Sequence, residues 1–176
     1  MTTVPFDRGA IGVARPSITS PLRRVLAFEA RAEAGLKALL ERWSIPVLRV
    51  ALGAVFVVFG ALKAIPGASP VEALVQSTWE KLSFGLVAGQ TAMIATAVLE
   101  ILAGALLIAG GAFARAGLVV LALAFVGILS PIVLLPAEVF GPTGPTLTGQ
   151  YIFKNAVLIA AALVVASRVL KGRVAR

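Results

Sequence analysis

Four apolar runs dominate the chain: Ile45–Leu62, Thr91–Gly110, Ala116–Leu135 and Tyr151–Ser167. Because a helix rises ~1.5 Å per residue, about 20 residues cross a ~30 Å hydrocarbon core, and each run is long enough to do so. With their flanks they predict spans at about 45–63, 90–110, 116–135 and 151–169. The expected architecture is an all-α membrane protein, a four-transmembrane-helix bundle over 45–170 preceded by an N-terminal amphipathic helix.

The polar stretches between the runs have their own patterns. Residues 1–19 mix Pro, Gly, Thr and Arg without periodicity and read as a flexible N-terminus. Ser20-Pro21 then resembles an N-cap with proline at the first helical position. Over 20–44, Leu22, Val25, Leu26, Leu36, Leu39, Leu40 and Trp43 form an apolar stripe opposite Arg, Lys and Glu. Such a helix lies on the cytoplasmic face of a membrane or docks a soluble partner. Arg23, Arg24, Trp43, Arg49 and Trp79 are the expected membrane-surface residues.

In the first long connection, Ser69-Pro70-Val71-Glu72 reads as a capping box opening a short amphipathic lid over Val71–Leu82. Ser130-Pro131 and Pro136 should kink and end the third span, and Gly141–Pro145 should form a turn. Gly89-Gln90 and Gly149-Gln150 each open a span and hint at two repeated helix pairs.

Charge orients these elements. The chain has 16 Lys and Arg against 8 Asp and Glu, net +8, which could signal nucleic acid. Their distribution says otherwise. Arg8, Arg15, Arg23, Arg24, Arg31, Lys37, Arg42 and Arg49 precede or open the first span, Arg115 sits in the second connection, and 171–176 is a basic tail. This asymmetry predicts both termini on the cytoplasmic side of a bacterial inner membrane, with no nucleic-acid partner. No apolar stretch lies near Met1, so no cleavable signal peptide is expected. Cysteine and histidine are absent, which removes disulfides and the usual zinc or haem ligands; no metal site and no covalent cofactor are expected.

Composition is otherwise far from soluble, with 59% hydrophobic residues and a mean hydropathy of +0.99. Against it, Glu100 is conspicuous: the sole charge in the second span, ~15 Å deep if that helix enters near Gln90. Insertion of a central acid costs about 2.5–3.5 kcal/mol, so such residues usually face the protein interior and act there. Helical spacing puts Arg49, Gly53, Phe56, Gly60 and Lys63 on one face of the first span, and Gln90, Met93, Ala97, Glu100, Gly104 and Leu107 on one face of the second. Gly117, Ala124, Gly127 and Pro131 line the third; Tyr151, Lys154, Leu158, Ala161 and Val165 the fourth.

Cβ bonds tilt toward a helix N-terminus, so Lys63 and Glu100 lean toward each other. Lys154 is a competing partner for Glu100, and Arg49 should snorkel to the cytoplasmic surface. These charges either hold the spans together or, with Phe56, Phe59, Met93 and Tyr151 alongside, floor a pocket for a ring-bearing lipid-soluble molecule.

Leu48-Arg49-Val50-Ala51-Leu52-Gly53 with Phe56, Phe59-Gly60 and Lys63, then Leu99-Glu100 with Gly104 and Leu106-Leu107, then Gly149-Gln150-Tyr151 with Lys154, resemble the DoxX-like family, most closely its YkgB-type branch associated with reactive chlorine resistance. The resemblance runs from about Leu48 to Ser167. It implies a four-helix membrane bundle; some relatives act beside quinone-linked sulfur oxidation or in redox-stress complexes. Asn155 stands where many relatives are expected to carry Asp, so a fourth-helix carboxylate is missing.

The expected function is an accessory or anchoring subunit of a membrane redox complex, binding quinone or lipid in the outer half of the bundle, without independent catalysis. Glu100, Lys63, Lys154, Asn155, Gln90, Tyr151, Phe56, Phe59 and Met93 are the ligand-binding or proton-relay candidates. Expected partners are the lipid bilayer and other subunits of a complex or a second copy of the chain. The rivals are a small proton-coupled transporter and a non-catalytic scaffold recruiting a soluble partner through its N-terminal helix.

Overall fold

The computed structural model describes residues 21–170. The flexible 1–19 stretch, the Ser20 N-cap and the 171–176 tail of the sequence reading lie outside the described residues. The elements, in order, are α1 (Pro21–Lys63), α2 (Glu72–Leu82), α3 (Gly89–Ala109), α4 (Gly111–Leu129), α5 (Pro131–Leu134), α6 (Pro136–Val139), the two-residue strands β1 (Phe140–Gly141) and β2 (Gly144–Pro145), and α7 (Leu147–Val169). Four helical segments are long and apolar enough to cross a membrane: Arg23–Lys63, Gly89–Ala109, Gly111–Leu134 and Leu147–Val169. The protein is a helical membrane protein.

The chain divides into two units, before and after Leu40–Glu41. In the first, the described residues are all α1, and its side chains from Arg23 onward are exposed, Phe28 among them at 75%. The core, the ion pair and the cavity described below all belong to the second.

Several boundaries differ from those the sequence predicts, each for a local reason. Residues 20–44 and the first span were expected as separate elements, yet α1 continues through Pro46. A proline inside a helix removes one backbone hydrogen bond, and the good helix formers on either side (Leu39, Leu40, Glu41, Leu48, Arg49) carry the helix past it. Gly110 and Gly111 take φ of 77° and 54°, a conformation glycine adopts without steric cost. That tight reversal lets α4 begin at Gly111, so Arg115 lies inside a helix rather than in a connection.

At α7, the Thr146 hydroxyl accepts from the Gly149 N–H at 3.0 Å, an N-cap that starts the helix four residues before Tyr151. Lys154 is therefore two turns inside the helix, not one. The capping box at Ser69 does not form: α2 starts at Glu72 after an N-cap Val71 without a side-chain cap bond. Glu72 instead accepts from the Gly67 N–H at 2.7 Å and bonds Gln76 one turn on. Ser130-Pro131 and Pro136 do divide the chain after α4 into the short turns α5 and α6. The Gly141–Pro145 turn closes a hairpin in which Phe140 pairs with Pro145 and Gly141 with Gly144.

Two apolar clusters hold the second unit together. Leu52, Phe56, Ala103, Leu107, Leu121, Phe125 and Ala162 interlock α1, α3, α4 and α7. The Phe56 and Phe125 rings meet edge to face, centroids 5.5 Å apart at 87°, a geometry worth about 0.5–1.5 kcal/mol beyond area burial. A smaller cluster of Leu74, Leu135, Val139 and Ile152 fastens α2 to α6 and α7.

Candidate functional site

The site begins with glycines. A Cβ on Gly53 would lie 2.7 Å from the Gly104 carbonyl oxygen, and one on Gly60 would lie 3.0 Å from the Glu100 Cβ and 3.1 Å from the Ala97 oxygen. Side chains there would push the backbones of α1 and α3 apart; glycine lets them touch, the usual device where membrane helices pack closely. Lys63 follows Gly60 by one helical turn on the same face, so this approach delivers its ammonium to Glu100. The Lys63 Nζ donates to Glu100 Oε2 at 2.7 Å. Both residues are buried, Lys63 at 7% and Glu100 at 2% exposure.

The pair faces a partly open cavity of about 540 Å³ lined by residues of α1, α2, α3, α4, α5 and α7. That volume falls within the ~300–1,000 Å³ range of small-molecule sites. Its walls are mostly apolar, from Phe56, Leu74, Leu99, Leu123 and Ile128. Lys63, Glu100 and Lys154 are its charged lining residues. Thr78, Trp79 and Thr96 add polar groups below the lid α2. The Trp79 indole N–H donates to the Thr96 hydroxyl at 2.8 Å, and Thr96 in turn donates to the Ala92 carbonyl. Lys81 donates to the Leu134 carbonyl at 3.0 Å, a second tie holding α2.

The residues singled out from sequence do not all meet here. Phe56, Phe59, Lys63, Glu100, Tyr151, Lys154 and Asn155 line the cavity. Gln90 does not: it is exposed on the first turn of α3, whose opening backbone at Gly89 turns it outward. Met93 is fully buried without reaching the cavity wall. Lys154, expected as a rival partner for Glu100, forms no ion pair among the described residues; its Nζ sits 4.9 Å from the centroid of the Tyr151 ring. Its own tilt toward the helix N-terminus carries it away from Glu100. Asn155 donates to the Tyr151 carbonyl at 2.8 Å.

Two of the expected surface residues also have partners within the protein. Trp79 is half-buried and tied to α3 through Thr96. Arg49 is half-buried and donates to the Leu107 and Ile108 carbonyls. Those carbonyls end α3 and lack intrahelical donors, and a cation there also meets the negative end of the helix dipole. Arg115 does the same at the end of α7, bonding the Val169 carbonyl at 3.4 Å. Trp43 is exposed with the Arg42 guanidinium over its ring at 5.8 Å, and Arg23 and Arg24 are exposed on α1.

The paired Gly-Gln dipeptides have different structural jobs. Gly89 takes φ of 54° with open space around it, whereas a Cβ on Gly149 would collide with the Val139 backbone. Thr78, Trp79 and Thr96 were not assigned to the pocket wall from sequence. Thr96 precedes Glu100 by four residues, so the helical spacing that marked Glu100 also marked its neighbour.

The arrangement defines a multi-pass helical membrane protein with a buried lysine–carboxylate pair at the edge of an apolar, lidded cavity. No family model, curated protein or solved structure matches the chain.

Proposed function

We propose that this protein is a DoxX-like accessory or anchoring subunit of a membrane redox complex, built as a four-helix bundle in a bacterial inner membrane with both termini cytoplasmic. Its cavity takes a quinone or lipid in the outer half of the bundle. One observation carries the reading: the Lys63–Glu100 pair, buried at 2.7 Å, opens onto about 540 Å³ of mostly apolar space. A pair that served packing alone would gain nothing from an adjoining cavity. Beside one, the lysine has N–H groups left to meet a carbonyl or oxyanion, and the carboxylate can exchange a proton with it. With no cysteine or histidine in the chain, electrons would be carried by the bound molecule or by a partner subunit.

The scaffold reading has its own support in the exposed apolar residues of α1, Val25, Phe28, Leu36 and Leu39 among them. Purification of the full chain from native membranes in mild detergent separates the alternatives. A stoichiometric soluble oxidoreductase supports the accessory subunit, and a ligand-free partner without redox activity supports the scaffold. Solute uptake by the reconstituted protein alone would make it a carrier. For orientation, cysteines introduced at Ser77 and Thr146 should react with an impermeant thiol reagent added to intact cells, and one at Ala175 should not. Labelling at Ala175 would invert the topology.

A further inference from the structure

The cavity carries an unbalanced charge, and the imbalance specifies its ligand more narrowly than its shape does. Its charged lining residues are Lys63, Glu100 and Lys154. Lys63 and Glu100 share one hydrogen bond at 2.7 Å, and wherever that proton resides the two sum to zero. Lys154 is left over. It lies on the eighth residue of α7, ~10 Å along the helix from Leu147 at the usual rise per residue.

Nothing on the cavity wall neutralises it. The Tyr151 ring beneath its ammonium orients the cation through the ring quadrupole while leaving the charge and the three N–H donors in place. Asn155 is uncharged and spends one amide N–H on the Tyr151 carbonyl. The remaining lining is predominantly aliphatic and aromatic.

We propose that the cavity binds a monoanionic amphiphile: its carboxylate or phosphate on Lys154 and its hydrocarbon chain toward Phe56, Leu99 and Leu123. This rests on the cavity being a ligand site, as proposed above, and deepens it by assigning the ligand's charge and its orientation. A neutral ring compound would satisfy the walls but leave the Lys154 ammonium, exposed on the cavity wall, without an anionic partner for its N–H donors. A fatty-acid carboxylate and a phospholipid phosphate share the required chemistry.

The test uses the full-length protein in nanodiscs of zwitterionic phosphatidylcholine, with radiolabelled oleate, methyl oleate and dioleoylphosphatidylglycerol as probes. The two anions should bind at least about tenfold more tightly than the neutral ester, the gain of one charge-assisted hydrogen bond. Tighter oleate binding points to a free fatty acid; tighter phosphatidylglycerol binding points to a lipid headgroup. In Lys154→Gln the preference should collapse to within about twofold, while Lys154→Arg keeps it. Gly127→Leu, which puts a side chain into open cavity space, should abolish binding of all three.

Equal binding of ester and anions by the unmodified protein would overturn the charge assignment while leaving the cavity a ligand site. So would a preference that survives Lys154→Gln. Binding unchanged in Gly127→Leu, or no binding of any probe, would overturn both the assignment and the cavity reading beneath it.

Discussion

Two glycines ten residues apart on α4 show how differently the two ends of this helix assembly are built. A Cβ on Gly117 would meet Leu106 Cβ and Leu107 N at 3.0 Å, so α4 and α3 lie in tight contact there. A Cβ on Gly127, an exposed residue on the cavity lining, would meet nothing within 4 Å. At the tight end, Leu107, Leu121 and Val165 are almost wholly buried, and Arg49 and Arg115 bond the final carbonyls of α3 and α7. At the open end α4 stops at Leu129, and α2 and Pro131 of α5 line the gap instead of filling it. The same apolar helices thus serve packing at one end and enclosure at the other. What differs is whether a small residue is matched by a neighbour.

The most severe test of that contrast is the ion pair. Lys63→Met or Glu100→Gln alone should cost about 3–5 kcal/mol, because either leaves a buried partner uncompensated. Together they should recover most of the loss, since replacing a buried pair whole is often close to neutral. Unfolding in detergent by a graded denaturant measures both; purely additive losses would mean that the 2.7 Å contact carries no coupling.

A smaller effect sharpens the comparison of the glycines. Gly117→Ala should destabilise by about 1–3 kcal/mol through overpacking against α3. Gly127→Ala should be neutral or gain up to about 1 kcal/mol from helix propensity. Equal effects at the two positions would erase the distinction between a packed and an open end.

The mildest prediction concerns the lid. Trp79→Phe keeps the ring but removes the N–H donated to Thr96, a loss of about 0.5–1.5 kcal/mol. Faster hydrogen exchange should follow in Glu72–Leu82 while the tight end stays unchanged. Acceleration spread evenly over α3 and α4 would show that the lid is not a separately fastened element.

The sequence by itself determined the spans, and it determined that Lys63 and Glu100 share a seam. Both follow from properties that need no partner: hydropathy over about 20 residues, and a 3.6-residue period that fixes which side chains share a face. It also marked Gly53, Gly60 and Gly104, because helices in lipid approach through small residues. The tertiary structure alone decided which lysine reaches Glu100, since that depends on how closely α1 and α3 approach. A hydroxyl at Thr146 and two glycines at 110 and 111 moved helix starts by four or five residues. Such shifts are small in sequence, but at 1.5 Å and 100° per residue they change both the depth and the direction of every side chain on the first turns. Arg49 and Trp79 were legible as polar anchors, whereas their partners, the end of α3 and the Thr96 hydroxyl, lie 58 and 17 residues away. No local pattern encodes such a pairing; it exists only once the helices have packed.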